Sequence, residues 1–297
     1  RILAACADPV PEDVLALLRD AYGEDLGRLG SDAEGHSVDR CVCHFKPGAC
    51  GGACLVYGEL LPTGCSRALR RLGLRGDGEE NRPGLTMLEL GCGTGKQALQ
   101  AFLQCPAISR VVGVELSWPR YSLAAVALKR LAKARPEEFQ LEVEEACSEN
   151  EVSLCRLIKK GSSGEAAERV LELRWGDFLR EDVLSSREYK GADVIFLQLC
   201  LPVDALVRVQ RRISLAPDGC RLFSLSDLRA KWRWSEPTHF RPWRKGDGPA
   251  LQDEALCEDK YATTWAPTYG MTFYTFRAQR SLGKCQGGAG GLTSGEN

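Results

Sequence analysis

The segment Leu88-Glu-Leu-Gly91-Cys-Gly93-Thr-Gly95 constrains the fold more than any other part of the chain. Apolar residues run up to Leu90, glycines alternate, and a helix-forming run follows. That is a strand, a tight turn and a helix start. Glycine at alternate positions lets the backbone approach a ligand where any Cβ would clash. About twenty residues on, Val111-Val-Gly-Val-Glu115 reads as a second strand ending in an acid, the place from which a carboxylate grips a ribose hydroxyl pair. The alternative is a tight strand–helix turn with an unrelated acid.

The flanking pattern extends this unit. Thr86–Leu90, Val111–Glu115, Val170–Arg174, Ala192–Leu197 and Arg221–Leu225 read as strands, and Met271–Gln279 as a late β-rich one. Lys96–Gln104, Tyr121–Ala134 and Val203–Ser214 read as helices between them. Such alternation predicts a doubly wound, mostly parallel sheet. Its ligand site lies outside the carboxyl ends of the strands, near the switch point. Gly91–Gly95, Glu115 and Asp177, in Trp175-Gly-Asp-Phe178, all fall at such ends. Residues 137–169 are charged, with a Gly161-Ser-Ser-Gly164 break, and read as a helical insertion. Upstream, Pro11–Leu29 and the basic Ser66–Leu72 read as helices, residues 30–54 as irregular and Gly73–Gly84 as a linker. The expected division is an N-terminal extension over 1–72, a core over 73–282 and a disordered tail over 283–297.

Composition narrows the function classes. The chain has 297 residues, 44% hydrophobic and 27% charged, which is ordinary globular protein. A net charge of −1 gives no global attraction to nucleic acid, so such binding needs a local patch. There are fourteen cysteines, many of them single and in positions that read as core. With no signal peptide and no apolar run of transmembrane length, an intracellular, reducing compartment is expected. The start at Arg1 suggests a fragment or a processed form. The GxGxG turn after Glu89-Leu90 favours S-adenosylmethionine over NAD, whose GxGxxG places the third glycine inside the helix.

Four segments carry a family resemblance: Val56-Tyr57-Gly58-Glu59, Leu88–Gln97, Gly176-Asp177-Phe178-Leu179, and Thr264-Trp265 followed by Thr272-Phe273-Tyr274-Thr275. Their order and spacing resemble the class I, seven-strand S-adenosylmethionine methyltransferases. More narrowly, they are similar to the Dot-one (disruptor of telomeric silencing) histone-lysine methyltransferases. The resemblance spans residues 55–280 or so. It implies a seven-strand Rossmann-like core with a late antiparallel hairpin. It also implies S-adenosylmethionine held by Tyr57, Glu59, Glu89, Gly91, Gly93, Gly95, Gln97, Glu115, Asp177 and Phe178. Phe178 would flank the adenine, Tyr57 would cover the methionine part, and Trp265 would line a lysine channel. The catalytic set it implies is Trp265, Phe178, Gln198 and Tyr57. The departures are Lys96 where the family has glutamine, Leu60 where it has threonine, and Phe196-Leu-Gln198-Leu199 where it has two asparagines. These leave open another acceptor (a different protein lysine, RNA or a small molecule) or a non-catalytic chromatin- or RNA-binding module on the same fold.

The chemistry asks little of side chains. Methyl transfer from a sulfonium is an in-line displacement, needing the acceptor at about 3–3.5 Å. A lysine acceptor, with a reference pKa of about 10.4, must first lose a proton, which a dry aromatic channel favours. For each aromatic the alternative is core packing. For Asp177 it is a helix cap or turn, and for Glu59 a solvated surface acid.

Two further clusters stand out. Arg229–Lys245 interleaves Arg229, Lys231, Arg233, Arg241, Arg244 and Lys245 with four aromatics against one acid. It reads either as a polyanion-binding loop, suited to a nucleosome, or as a loop anchored by tryptophans. Cys41, Cys43, His44, Cys50 and Cys54 could make a tetrahedral zinc site, though their spacing is not CxxC…CxxC and free thiols are the default. If the histone resemblance holds, the chain is nuclear.

Overall fold

The computed structural model describes residues 6–24, 58–75, 83–144, 153–161, 168–199, 201, 203–228, 239–242 and 258–279. Helices α1 (Glu12–Tyr22) and α2 (Pro62–Arg71) precede a sheet-and-helix core. Its first half is β1 (Leu85–Leu90), α3 (Lys96–Gln104), β2 (Ile108–Glu115), α4 (Trp118–Ala134), β3 (Phe139–Glu144), β4 (Leu154–Lys159) and β5 (Arg169–Trp175). The second half is α5 (Ser186–Lys190), β6 (Val194–Leu197), α6 (Val203–Ile213), β7 (Arg221–Ser224), β8 (Phe240–Pro242), β9 (Glu258–Tyr261) and β10 (Met271–Ala278).

The strands form one sheet in the order β3-β4-β5-β2-β1-β6-β7-β10-β8, with β9 also on β10. From β5 to β7 all neighbours are parallel. The chain steps outward from β1 to β2 and β5, then returns to the other flank with β6 and β7. This reversal at β1 opens a crevice at the carboxyl ends of the strands. β10 runs antiparallel between β7 and β8. β1 and β6 are apolar nearly throughout because helices cover both of their faces. On one face α1, α2, α3 and α4 pack in a core containing Leu69, Met87, Phe102 and Leu128. On the other, α5 and α6 cover Leu88, Val112, Ile195 and Leu222.

The insertion expected to be helical is instead β-structured. β3 and β4 make an antiparallel hairpin that extends the sheet at β5. Phe139, Leu141 and Leu157 pack inward, while Glu142 and Arg156 point to the other side with Glu172. In register, Glu142 faces Arg156, which faces Glu172. Opposite charges placed directly across strands favour the pairing. Arg110, Arg174 and Glu188 complete a charged ladder on this face, with Arg110 to Glu188 at 3.0 Å and Arg174 to Glu188 at 2.7 Å. Burial raises the Glu188 pKa, but Arg174 and the Ser185 N–H outweigh it and bring it to about 2.

The helix expected from Tyr121 starts at Trp118, with Pro119 in its first turn, where its missing N–H costs nothing. α1 closes at Tyr22, ahead of Gly23 at φ 84°, and the rest of its expected span beyond residue 24 lies outside the described residues. So do Tyr57, Cys41, Cys43, His44, Cys50, Cys54, Arg229, Lys231, Arg233, Arg244, Lys245 and the glycine-rich tail. Arg241, expected in a loop, lies in β8 paired with β10, and its side chain is exposed.

Candidate cofactor and acceptor site

The glycine turn joins β1 to α3 at the switch point. Gly91, Gly93 and Gly95 all have positive φ, at 79°, 57° and 76°. A Cβ on Gly91 would lie 2.5 Å from the Leu199 side chain, which would have to shift, and the positive φ would strain any other residue whatever the space. The Gly91 and Cys92 N–H groups donate to Val114 O at 2.8 and 3.0 Å, tying the turn to β2.

Glu115, at the tip of β2, braces the next layer. One of its carboxylate oxygens accepts from Gly93 N–H and the other from Ser117 N–H, both at 2.8 Å. The carboxylate retains lone pairs after these bonds, so it can still accept from hydroxyls. Burial lifts its pKa above the ordinary value, with the backbone donors and Arg120 opposing. Glu89 is buried on β1, and desolvation pushes its carboxyl well above the usual range, reinforced by Glu59 and Glu115.

Buried polar atoms without a partner sit at these strand ends: Ser117 Oγ after β2, Gln198 Nε2 after β6, and one Glu89 carboxyl oxygen. Each such atom costs roughly 1–3 kcal/mol, so a site that keeps several is built for a further polar group. Gln198 directly follows β6, and the Leu199 side chain packs over Gly91.

The segment before α2 lies over this turn. Glu59 accepts from Thr94 Oγ1 at 2.5 Å and pairs with Lys96 Nζ at 2.5 Å. Gln97 Nε2 donates to Leu60 O at 3.5 Å, so its side chain is directed at this segment. Leu60 bridges Thr263 in antiparallel register. Glu59 N–H donates to Thr264 Oγ1 at 3.2 Å, and Thr264 N–H to Glu59 O at 2.9 Å. Trp265, 46% exposed, lies against Gly58, where a Cβ would be 2.4 Å from its indole. Two segments about two hundred residues apart, which carry half of the motif resemblance, thus meet beside the turn.

Asp177 is half-buried at the end of β5, and its Oδ1 accepts from Leu179 N–H at 2.8 Å, which is a turn role. Phe178 is buried in the core under α5 and α6, its carbonyl accepting from Tyr189 OH at 3.1 Å. The aromatic surface at this end comes instead from residues that sequence reasoning missed. Trp118 is 47% exposed and meets Trp175 edge-on, with centroids 4.8 Å apart. Trp175 Nε1 donates to Leu116 O at 3.0 Å. The available signal was a tryptophan three positions after the strand-end acid.

The residues present fit S-adenosylmethionine: Glu115 could accept from a ribose, Asp177 and the Trp118–Trp175 pair could meet an adenine, and the turn glycines would allow close backbone approach. Among the described residues no His, Cys, Asp and Glu group could hold a metal; Cys65, Cys92, Cys105, Cys155 and Cys220 are free and buried, and the buried Cys6 Sγ donates to Thr268 O at 3.5 Å. No helix among them is long and apolar enough to cross a membrane.

Strand order, the crevice at β1 and the glycine turn define a Rossmann-like methyltransferase fold. No family model and no curated protein matches the sequence. Among solved structures, the chain is similar to TrmN from Thermus thermophilus, with 17% identity over 74% of this chain and 49% of that one, TM-score 0.43. It is similar to a putative O-methyltransferase from Klebsiella pneumoniae, with 10% identity over 92% of each chain, TM-score 0.41. It is also similar to the rRNA methyltransferase aviRa from Streptomyces viridochromogenes, with 13% identity over 86% of this chain and 96% of that one, TM-score 0.40. The chain spans about half the length of TrmN.

Proposed function

We propose that the chain is an S-adenosylmethionine-dependent methyltransferase whose acceptor is a lysine side chain of a nucleosomal core histone. The enzyme class is supported by one observation above all: braced glycines and orphaned polar atoms share a single rim at the carboxyl ends of β1, β2 and β6. The acceptor is supported by the meeting of Gly58-Glu59 with Thr264-Trp265, which belong to segments that carry the Dot-one resemblance.

When bound, S-adenosylmethionine supplies a methyl group on a sulfonium for displacement by a nucleophile. Glu115 would hold the ribose, and Asp177 would accept from the adenine amino group. Trp265 offers a half-exposed ring beside the turn. An aromatic face there attracts the methylated cation that forms by about 0.5–2 kcal/mol. An apolar approach also favours the neutral amine that must attack. Arg241 is the described member of the basic segment proposed to meet nucleosomal DNA or an acidic histone surface, which would place the protein in the nucleus.

The test offers tritiated S-adenosylmethionine with nucleosomes, free histones, RNA and total lysate in parallel. Label on a core-histone lysine, lost in Glu115→Ala, is the expected result. Label in RNA instead would replace the acceptor and keep the enzyme class. Absence of both label and calorimetric cofactor binding would overturn the whole reading.

A further inference from the structure

Lys96 is the first residue of α3 and is nearly buried, its side chain 8% exposed. A cation at a helix N-terminus opposes the helix dipole, and a buried ammonium needs a partner. Its partner Glu59 comes from a different part of the chain and has a side chain only 4% exposed. Around the pair the contacts converge. Thr94 Oγ1 donates to the other Glu59 oxygen, Tyr22 OH donates to Thr94 O at 2.8 Å, and Lys96 Nζ lies 5.7 Å from the centre of the Tyr22 ring. From Glu59 the backbone continues outward through its two bonds with Thr264 to Trp265 against Gly58. The charge on α3 is therefore linked, in three steps, to the aromatic ring on the acceptor side.

We propose that Lys96 and Glu59 are positioning residues: their ion pair holds the Gly58–Leu60 segment, and through Thr264 the Trp265 ring, at a fixed height over the glycine turn. The pair acts on the acceptor side and not on cofactor affinity. Its kinetic arm rests on the methyltransferase reading, whereas its structural arm does not.

Lys96→Met removes the cation that pairs with Glu59 across to α3. The segment should then lift, and amide hydrogen exchange at Glu59, Leu61 and Thr264 should accelerate by at least about tenfold while the strand amides of β1 and β2 stay protected. Turnover should fall roughly ten- to a hundredfold, the scale of a misplaced reacting group, with cofactor Kd within about threefold of the parent. The double variant Lys96→Gln with Glu59→Gln removes both charges and keeps side chains able to hydrogen-bond. It should recover most of the exchange protection lost in Lys96→Met, and it serves as the working comparison if Lys96→Met does not fold. Unchanged exchange at these amides in Lys96→Met would overturn the proposal. So would a double variant no better than the single one, or loss of cofactor affinity in parallel with turnover. If the parent transfers no methyl group to any acceptor, the methyltransferase reading fails, and the exchange results still decide the latch.

Discussion

Two groups of charged residues lie on opposite sides of β2, and they are built on contrary rules. On the β3–β4–β5 side, Glu142, Arg156, Glu172, Arg110, Arg174 and Glu188 answer one another across neighbouring strands. At the glycine turn, Glu59, Glu89 and Glu115 crowd together, Lys96 answers only the first, and polar atoms are left without partners. The same residue type responds oppositely. Glu188 is held at about 2, whereas Glu89 is pushed well above the carboxylate range by burial. A folded chain that satisfies charge so fully in one place has no general difficulty in doing so. The unsatisfied groups at the turn are therefore the ones the proposed cofactor would complete, and the ladder is scaffold.

The largest effect that can break this division is Gly93→Arg. A long side chain at φ 57° within the turn should abolish S-adenosylmethionine binding by calorimetry while the protein stays folded. Unchanged affinity would remove the turn from the site. Next comes Glu172→Ala, which strips the ladder of a 4%-exposed carboxylate shared by three arginines. Urea unfolding should show a loss of roughly 2–4 kcal/mol, lessened from the fully buried case because Arg110 and Arg156 are partly in water. Cofactor affinity should be unaltered, and a parallel loss there would mean that scaffold and site are not separable. Trp118→Ala should do the reverse on a smaller scale, weakening cofactor binding by about 1 kcal/mol with little change in melting temperature. If it lowers the melting temperature alone, the Trp118–Trp175 pair is packing.

The smallest effect sharpens the comparison through pH. Glu89 has a folded pKa above its unfolded one, so its contribution to stability is complete at acidic pH and is lost as pH rises through the folded value. Glu188 is depressed to about 2, so its contribution is complete above the unfolded value and is lost as pH falls toward 2. Glu89→Gln should flatten the alkaline side of a melting-temperature profile and raise stability at neutral pH, leaving the acid limb intact. A flattened acid limb instead would reverse the assignment of the two carboxylates.

The alternation of strands and helices from Leu85 to Ser224 was legible because each parallel strand is buried on both faces and each helix has one apolar side. The glycine turn and Glu115 were legible because their spacing is itself the structure. The β3–β4 hairpin was not, although Phe139-Gln-Leu-Glu-Val-Glu144 alternates with period two. Its dense charge resembles a solvated helix face until Arg156 and Glu172 are brought opposite Glu142. The latch was hidden for a different reason. Glu59 and Lys96 are 37 residues apart, and Trp265 is much further along the chain, so only the folded backbone brings them together. Trp118 was not legible because a tryptophan just ahead of Pro119 reads as the apolar start of a helix, and only the fold sets it against Trp175.

The position of β10 has a consequence for how the chain is made. The last described strand in sequence is not the last in the sheet: it lies between β7 and β8 and also carries β9. A ribosome delivering this chain must therefore release residues up to Ala278 before the β7 edge can be covered. Until then β7 exposes an unpaired row of backbone donors and acceptors, and β8 and β9 have nothing to pair with. Truncation ahead of Met271 would leave that edge open permanently, with the Thr263–Trp265 segment no longer anchored by the strand that follows it. Emergence of β10 and anchoring of the Thr263–Trp265 segment are thus one event, and nascent chains halted earlier are exposed to edge-to-edge association.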